Sequence, residues 1–449
     1  MNKEFHKKQN FFSFSDIDSE RKDRIMKFTS TEATPAPHVP PGVLRLPGAA
    51  KEDIPMYRIQ TMNKISPVGL NRFPSELYEV GDAVQDPQGI LVRSAKLLDL
   101  EFNPSLLAIA RAGVGVNNIP LDRCAAAGIP VQGIVVFNTP GANANAVKEL
   151  VICAMLMGSR DIPGAIRWVR EQAASGVDVS TVVEKGKSAF IGPELYKKTL
   201  GIIGLGAIGS IVANTAISLG MDVYGYDPFL SVDTALRLDR HVHVVKDIND
   251  LYKRSDYITM HIHYTEKTAH MIDADAIAAM KRGVRVINLA RGEIVDDEAM
   301  LTALDTGMVA AYITDFPNNR LLTAPHVIAM PHLGASTPES EQNCAAMAVD
   351  TLRDYLESGN IRSSVNLPEM TMDRSGVQRL CVLHKNVPGM LANITSLFGR
   401  DGVNVENLSN KSRGDYAYTM VDLGSKVGDN VIEDVRRTAN VIRVRSLEW

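Results

Sequence analysis

Residues 199–227 read TLGIIGLGAIGSIVANTAISLGMDVYGYD, and this stretch decides the fold. A strand-like apolar run leads into the pattern Gly204-x-Gly206-x-x-Gly209, a helix-like segment follows, and a second strand-like run ends at Asp227. Gly204 permits a tight turn, Gly206 lets the backbone approach a diphosphate, and Gly209 lets the helix pack closely on the strand. Asp227 follows at about the 20-residue spacing of dinucleotide-binding βαβ units. The stretch therefore predicts a dinucleotide site, with helix-terminal amides facing the diphosphate.

Asp227 also indicates which dinucleotide fits. A carboxylate at this place accepts hydrogen bonds from the adenosine ribose hydroxyls, and its charge repels a 2′-phosphate, so we expect NAD rather than NADP. The alternative is a glycine turn in an ordinary α/β crossover. The complete strand, glycine, helix, strand and acid order favours the dinucleotide site.

Outward from this stretch, strand-like runs alternate with helix-like segments from residue 56 to about 335. The alternation predicts a doubly wound parallel α/β sheet. The runs lie at 89–92, 107–110, 199–203, 221–226, 257–262, 285–289 and 327–330, and a helix is expected over 339–358.

The last 74 residues follow a polar joint at 368–375 and show a different order. Strand-like runs at 379–384, 403–408, 416–423 and 442–447 enclose two helix-like segments. This is a βαββαβ pattern, which predicts a split βαβ module.

Residues 1–55 differ from the rest. Their beginning is dense in charge, and segment 31–55 holds six prolines, which disfavour helix and central strand. We expect an extended or disordered arm of unassigned role, with ordered structure beginning at Met56.

The composition excludes several classes of protein. The 449 residues carry a formal net charge of −4, so the overall charge does not attract a nucleic acid as the main partner. No apolar run reaches the roughly 18 residues that a membrane span needs. The four cysteines are far apart, which argues against a disulfide framework and favours a reducing, cytoplasmic setting.

Two polar residues follow strand-like runs where ligands of parallel sheets bind, namely Arg291 and His332. Oxidation of a secondary alcohol by hydride removal needs a base for the hydroxyl proton, and histidine has a suitable intrinsic acidity. It also needs a cation for the neighbouring carboxylate, and the arginine fork binds carboxylates bidentately. The alternatives are a capped helix terminus for Arg291 and a packed loop histidine for His332.

Residues 56 to about 370 resemble the D-isomer-specific 2-hydroxyacid dehydrogenases. The matching motifs are the glycine pattern, Asn288-x-x-Arg291-Gly292-x-x-Val295-Asp296 and Pro331-His332-x-Gly334-Ala-Ser-Thr337. The resemblance implies an NAD domain (146–333) inserted into a substrate domain (56–145 and 334–370), with the terminal module at 376–449. It also implies cofactor contacts at Ala207, Ile208, Leu289, Ala290 and Thr314.

The resemblance is strongest to the branch of that family that oxidises 3-phospho-D-glycerate. The segments that carry it lie at 91–94, 113–118 and 137–141, and they imply that Arg93, Ser94, Gly115 and Asn117 bind the substrate. A solvated strand-end charge is the alternative for Arg93.

The sequence departs from the family pattern at the acidic partner of the histidine. Family members carry a glutamate where this chain has Asn319, and asparagine cannot stabilise an imidazolium by charge. Asp315 is a candidate substitute, although its register is shifted.

The terminal module resembles the ACT domain, a small-molecule sensor. The resemblance implies that His384, Asn386 and Asn404 bind serine as an effector and that the chain forms a homo-oligomer, a dimer or a tetramer. The alternative is a module that only mediates assembly.

The resemblance implies an NAD-dependent dehydrogenase that acts on 3-phospho-D-glycerate in the first step of serine biosynthesis. Two alternatives stay open: a glyoxylate, hydroxypyruvate or lactate dehydrogenase without phosphate specificity, and a nucleotide-sensing regulator without activity. No metal is expected, because His241-x-His243 and His261-x-His263 lack further ligands at suitable spacing.

Overall fold

The computed structural model describes residues 56–125 and 133–449. The arm expected at 1–55 lies outside the described residues. Within the described residues the chain forms three β-sheets.

The first sheet contains five parallel strands in the order β2-β1-β3-β4-β5. The strands are β1 (Tyr57–Met62), β2 (Tyr78–Gly81), β3 (Gly89–Val92), β4 (Ala108–Arg111) and β5 (Val135–Phe137). Two short helices lie between them, α1 (Pro67–Leu70) and α2 (Leu121–Ala125).

The second sheet contains seven parallel strands in the order β12-β11-β10-β9-β6-β7-β8. The strands are β6 (Thr199–Ile203), β7 (Asp222–Tyr226), β8 (Val242–Val245), β9 (Tyr257–Met260), β10 (Val284–Asn288), β11 (Val309–Thr314) and β12 (Val327–Ala329). The helices that precede and connect these strands are α3 (Ala144–Arg160), α4 (Ile162–Ala174), α5 (Val179–Gly186), α6 (Ala207–Ser218), α7 (Val232–Arg237), α8 (Ile248–Arg254), α9 (Ala274–Ala278) and α10 (Asp297–Asp305). Short 3₁₀ turns lie at Lys187–Phe190, Gly292–Ile294 and Leu321–Thr323. Apolar side chains fill both faces of this sheet, which confirms the predicted doubly wound parallel architecture.

Helix α11 (Pro338–Ser358) follows the second sheet and packs on the first. The Thr337 hydroxyl accepts a hydrogen bond from the Ser340 amide, Pro338 occupies the first turn, and Gly359 ends the helix in the left-handed conformation. Cys344, Ala348 and Leu352 are four residues apart and form one buried stripe. This stripe shares a core with the first sheet.

The third sheet is antiparallel, in the order β14-β15-β13-β16. It is built from β13 (Gln378–Lys385), α12 (Met390–Arg400), β14 (Val405–Arg413), β15 (Tyr416–Leu423), α13 (Asp429–Arg437) and β16 (Val441–Glu448), the predicted βαββαβ order. Apolar residues of both helices pack on one face of this sheet.

The opposite face of the third sheet packs against the first sheet's core. Cys381, Leu383 and Tyr418 share that core with the buried Met370 and Met372, so the joint that the sequence describes as polar is packed. The sheet also caps the end of α11, because Arg445 donates to the carbonyls of Tyr355 and Leu356 and the Tyr418 hydroxyl donates to that of Gly359. Donors therefore satisfy helix-terminal carbonyls that would otherwise be buried without partners.

An ion pair between Arg379 and Asp422 lies fully inside this contact. The two side chains are 0% exposed, and the guanidinium binds the carboxylate through two hydrogen bonds, at 2.6 and 2.7 Å. Arg379 also donates to the carbonyls of Ser358, Met372 and Asp373, so the pair connects β13 to the end of α11.

Among the described residues, no helix has the length and hydrophobicity to cross a membrane.

We predict that Asp422→Asn destabilises the protein by about 3–5 kcal/mol, because it leaves a buried guanidinium without its counter-charge. Urea unfolding measured by fluorescence and circular dichroism tests this. Asp350→Asn is the matched control: it breaks the exposed Arg72–Asp350 pair and should cost no more than about 1 kcal/mol. Equal effects of the two substitutions would contradict the prediction.

Candidate active site

A cleft of about 500 Å³ lies where strand ends of the first sheet face strand ends of the second. It brings together many of the residues that the sequence nominates. From the first sheet these are Arg93, Ser94, Gly115 and Asn117, and from the second Gly206, Ala207, Ile208, Leu289, Ala290, Arg291 and His332.

The glycine turn forms one wall of the cleft. Gly204 has φ +90°, and a Cβ there would lie 2.6 Å from the His261 carbonyl oxygen. A Cβ on Gly209 would lie 1.9 Å from the Gly204 carbonyl oxygen, so both positions require glycine. Gly206 instead faces open space, since a Cβ at that position would have no heavy atom within 4 Å.

Helix α6 starts directly after Gly206 without a side-chain cap among the described residues. Its first amides therefore lack acceptors at the edge of the cleft, and the helix dipole favours an anion there. The open space and the free amides fit the diphosphate of a dinucleotide.

Asp227 lies just past the end of β7 and is half-buried. One carboxylate oxygen accepts from the Leu205 amide at 2.9 Å, and the other accepts from the Phe229 amide at 2.9 Å. The glycine turn thus fixes the acid, and each oxygen keeps a second lone pair for a ribose hydroxyl.

Thr314 does not line the cleft. It is fully buried at the end of β11, and its hydroxyl accepts a hydrogen bond from the Phe316 amide. In this structure it supports the chain beneath the site.

Arg291 and His332 lie against the ring of Phe316. The guanidinium carbon of Arg291 is 6.0 Å from the ring centre, and the imidazole centre of His332 is 4.8 Å from it. One nitrogen of Arg291, Nη1, donates a hydrogen bond to the Ala290 carbonyl at 2.6 Å. Its Nη2 would lie 3.3 Å from a Cβ on Gly115, so the glycine loop of the first sheet approaches the guanidinium closely.

A second histidine in the cleft, His261, is a weaker base than an ordinary histidine. Burial lowers the pKa of His261 to about 3, so its protonated form is strongly disfavoured. His332 is exposed to the cleft and carries no such burial.

The Arg93–Ser94 turn follows β3 and is fixed by Asn63, whose side-chain oxygen accepts from the Ser94 amide at 3.2 Å. The Arg93 guanidinium binds the carboxylate of Glu341, on the first turn of α11, at 2.6 Å. The predicted phosphate ligand is therefore paired with an acid in this structure.

Two charged residues of the cleft were not predicted from the sequence, Arg111 and Glu341. Arg111 ends β4, and its Nε donates to the Arg93 carbonyl at 3.1 Å. Burial lowers the pKa of Arg111, and the charges of Arg291 and Arg93 lower it further, while Cys344 opposes them. Its position at a strand end was the available signal, since that criterion selected Arg291 and His332.

The candidate acids for His332 lie in different surroundings. Asn319 is exposed, whereas Asp315 is buried directly after β11.

The three nominated effector residues do not form one exposed group. His384 is 2% exposed, and its ring nitrogens contact the Lys385 carbonyl and the Thr419 hydroxyl, each at 2.8 Å. Since both ring nitrogens are engaged, His384 offers no free polar atom to a ligand in this conformation. Asn386 and Asn404 are exposed, and they donate to the Gly414 carbonyl and the Glu406 carboxylate.

Across residues 56–125 and 133–449, no group of three or more His, Cys, Asp or Glu side chains is arranged to hold a metal ion.

Residues 152–334 match the family model described as D-isomer specific 2-hydroxyacid dehydrogenase, NAD binding domain. This match includes the glycine turn and confirms NAD as the predicted cofactor.

Curated relatives extend the match beyond that domain. A D-3-phosphoglycerate dehydrogenase of Synechocystis is 36% identical over 331 residues, which cover 72% of this chain and 56% of the relative. A D-3-phosphoglycerate dehydrogenase of Escherichia coli is 31% identical over 385 residues, covering 82% of this chain and 89% of the relative. The chain spans little more than half the length of the first three curated relatives, 55–60%.

Solved structures share the fold. NAD⁺-bound 3-phosphoglycerate dehydrogenase of Entamoeba histolytica matches with a TM-score of 0.53 and 26% identity, covering 69% of this chain and 99% of that one. An NADPH-dependent glyoxylate/hydroxypyruvate reductase of Sinorhizobium meliloti matches with a TM-score of 0.56 and 26% identity, covering 69% and 97%. The chain belongs to the D-isomer-specific 2-hydroxyacid dehydrogenase family.

Proposed function

We propose that the protein oxidises 3-phospho-D-glycerate to 3-phosphohydroxypyruvate with NAD, the first step of serine biosynthesis. The observation that carries this proposal is the meeting of Arg93, Arg111 and Arg291 with His332 in one cleft beside the glycine turn. A substrate with a carboxylate and a phosphate needs several cations, whereas a simple 2-hydroxy acid needs only one. The names of the curated relatives in Synechocystis and E. coli support the same substrate.

The residues divide the work according to their chemistry. Arg291 holds the carboxylate and the developing carbonyl oxygen through the nitrogen that is not bound to Ala290. His332 takes the hydroxyl proton as the C2 hydrogen leaves as hydride. Arg93, Arg111 and Ser94 hold the phosphate. When bound, NAD supplies the acceptor for the hydride.

We propose the domain division that the sequence suggests, with an NAD domain at 146–333 and a substrate domain at 56–145 and 334–370. The sheets support it, since the seven-stranded sheet lies within 199–329 and α11 packs on the five-stranded sheet. Four free cysteines support a reducing, cytoplasmic location.

We propose that residues 376–449 form an ACT-like module that binds serine and joins copies of the chain into a homo-oligomer. The exposed amides of Asn386 and Asn404 suit the polar groups of an amino acid. Strands β14 and β16 are the edges of the sheet, and open edges favour pairing with another copy. The burial of His384 argues that serine does not bind to its ring without a rearrangement.

One observation favours a second candidate, a glyoxylate or hydroxypyruvate reductase. Glu341 neutralises Arg93 and brings a negative charge to the place proposed for the phosphate. Steady-state NADH formation with 3-phospho-D-glycerate and with D-glycerate separates the two functions. The proposal expects a clear preference for the phosphorylated substrate, and indifference to phosphate would favour the reductase.

Replacement of the proposed base tests the chemistry. We expect His332→Gln to lower kcat by about 10²–10⁴-fold, the usual contribution of a positioned base, with NADH affinity unchanged. Stopped-flow turnover and NADH fluorescence titration measure the two quantities. His243→Gln, at an exposed histidine outside the cleft, is the control and should keep normal turnover. Near-normal turnover of His332→Gln would remove His332 from its role.

The Arg93–Glu341 pair predicts opposite effects of two substitutions. Arg93→Gln should raise KM for 3-phospho-D-glycerate by about tenfold or more, as expected for loss of a charged contact. Glu341→Gln should lower that KM, because it frees Arg93 and removes a repelling charge. D-Glycerate is the control substrate; changes of the same size for both substrates would show that neither residue reads the phosphate.

Asp227 predicts the choice of dinucleotide. Asp227→Asn keeps an acceptor for the Leu205 or Phe229 amide but removes the charge that repels a 2′-phosphate. We expect the preference for NADH over NADPH to fall by about tenfold in fluorescence titrations, the size of one charged contact. An unchanged preference would show that Asp227 does not select the cofactor.

A further inference from the structure

Asn319 does not support the catalytic histidine. Its side chain is exposed, and its neighbours Asn318 and Arg320 bind carboxylates at the start of α10, Asp297 and Glu298. No hydrogen bond joins Asn319 to His332 in the part of the chain that the structure describes.

Asp315 lies beneath the loop that carries His332. It is 1% exposed, and its Oδ2 accepts a hydrogen bond from the Gly334 amide at 2.9 Å. The Leu333 amide also faces this carboxylate. These are the two amides that follow His332 directly, so the carboxylate fixes the backbone from which the imidazole projects.

The approach between carboxylate and loop is close. A Cβ on Gly334 would lie 3.3 Å from Asp315 Oδ2. Phe316, the next residue, contacts the imidazole face with ring centres 4.8 Å apart. Asp315 therefore fixes the backbone after His332, and Phe316 packs against its imidazole ring.

The carboxylate of Asp315 can accept a further hydrogen bond. Oδ1 of Asp315 is buried and has no hydrogen-bond partner among the described residues. Burial raises the pKa of Asp315, and the Gly334 amide, the His332 charge and the Leu333 amide act in the opposite direction. Because this coupling is mutual, a charged Asp315 favours a charged His332.

Other charged groups face this pair from two sides. Arg291 lies across Phe316, and Arg111, Arg93 and Glu341 line the rest of the cleft. Behind the pair lies Tyr312, whose hydroxyl interacts electrostatically with both Asp297 and Asp315. The cleft groups sum to a net positive field, which disfavours an imidazolium unless an acid compensates for it.

We propose that Asp315 is the positioning residue of His332: it fixes the loop and stabilises the imidazolium that forms when the substrate hydroxyl gives up its proton. The proposal rests on the proposed function for its kinetic consequences, but its structural part does not. In the oxidation, the C2–H electron pair leaves with the hydride, the hydroxyl proton moves to the imidazole, and a carbonyl forms. Asp315 offsets the positive charge that remains on the ring.

The direct test is an NMR titration of the His332 ring in the full chain with labelled histidine. The His332→Gln spectrum identifies the signal. In Asp315→Asn, which keeps one acceptor oxygen for the Gly334 amide, we expect the ring to take up its proton about one pH unit lower than in the wild type. Asp350→Asn removes an equal charge outside the cleft and should leave the titration in place. An unchanged titration in Asp315→Asn would overturn the proposal.

Kinetics supply the second readout. In Asp315→Asn the acidic limb of the plot of kcat/KM against pH should move to lower pH by about one unit, and kcat should fall about tenfold. Asp315→Glu should return the limb to its wild-type pH. A merely structural role would lower kcat without moving the limb. If the wild type oxidises no 2-hydroxy acid while the NMR shift is present, the proposed function fails and the assignment of Asp315 stands.

If Asp315→Asn does not fold, an NMR titration of the wild-type protein tests the proposal. The carboxyl carbon of Asp315 should show an inflection at the pH where the His332 ring titrates, since the groups are coupled. A carbon signal without that inflection would refute the proposal.

Discussion

The active-site cleft depends on the polarity of two parallel sheets. In each sheet, every strand delivers its carboxyl end to the same edge, and these two edges face each other. Arg93 and Arg111 leave the ends of β3 and β4, while Arg291 and His332 follow β10 and β12. Four side chains that are far apart in sequence therefore meet around a volume of about 500 Å³. A sheet with mixed strand directions would send half of them to the opposite edge.

Helix α11 connects this cleft to the terminal module. Its first turn places Glu341 in the cleft, and its last carbonyls receive Arg445 and Arg379 from the third sheet. At 1.5 Å per residue the helix spans about 30 Å as a single rod. The buried Arg379–Asp422 pair ties β13 and β15 to the end of this rod, so a movement of the module would act on α11 at its carboxyl end. This is a physical route by which an effector in the module would act on the substrate cleft.

The sequence was most informative where function depends on local spacing. The glycine pattern and Asp227 are positioned by one strand–turn–helix–strand unit, and the structure places them around the expected helix terminus. Arg291 and His332 were predicted because each follows a strand, and Arg93 was predicted because its segment resembles the family. Arg111 obeys the same rule but was overlooked, since an arginine at the end of an apolar run resembles a solvated charge. Glu341 lies on the polar face of a helix, and only the tertiary packing of α11 brings it to Arg93.

The packing of the terminal module depends on contacts between distant parts of the chain. The βαββαβ order was predictable from alternating apolar runs, but nothing local indicates that the free face of the sheet packs on another sheet. That packing makes the joint at 368–375 a buried segment, and the burial of His384 likewise follows from contacts within the folded module.

The proposed function requires that one cleft holds a phosphorylated 2-hydroxy acid between the two sheets. A crystal structure with NADH and 3-phospho-D-glycerate, a pair that cannot react, would show whether it does. We predict the carboxylate at Arg291, the C2 hydroxyl at the His332 imidazole, and the phosphate between Arg93 and Arg111 with Glu341 displaced. A phosphate bound away from both arginines, or a C2 hydroxyl out of reach of His332, would contradict the account.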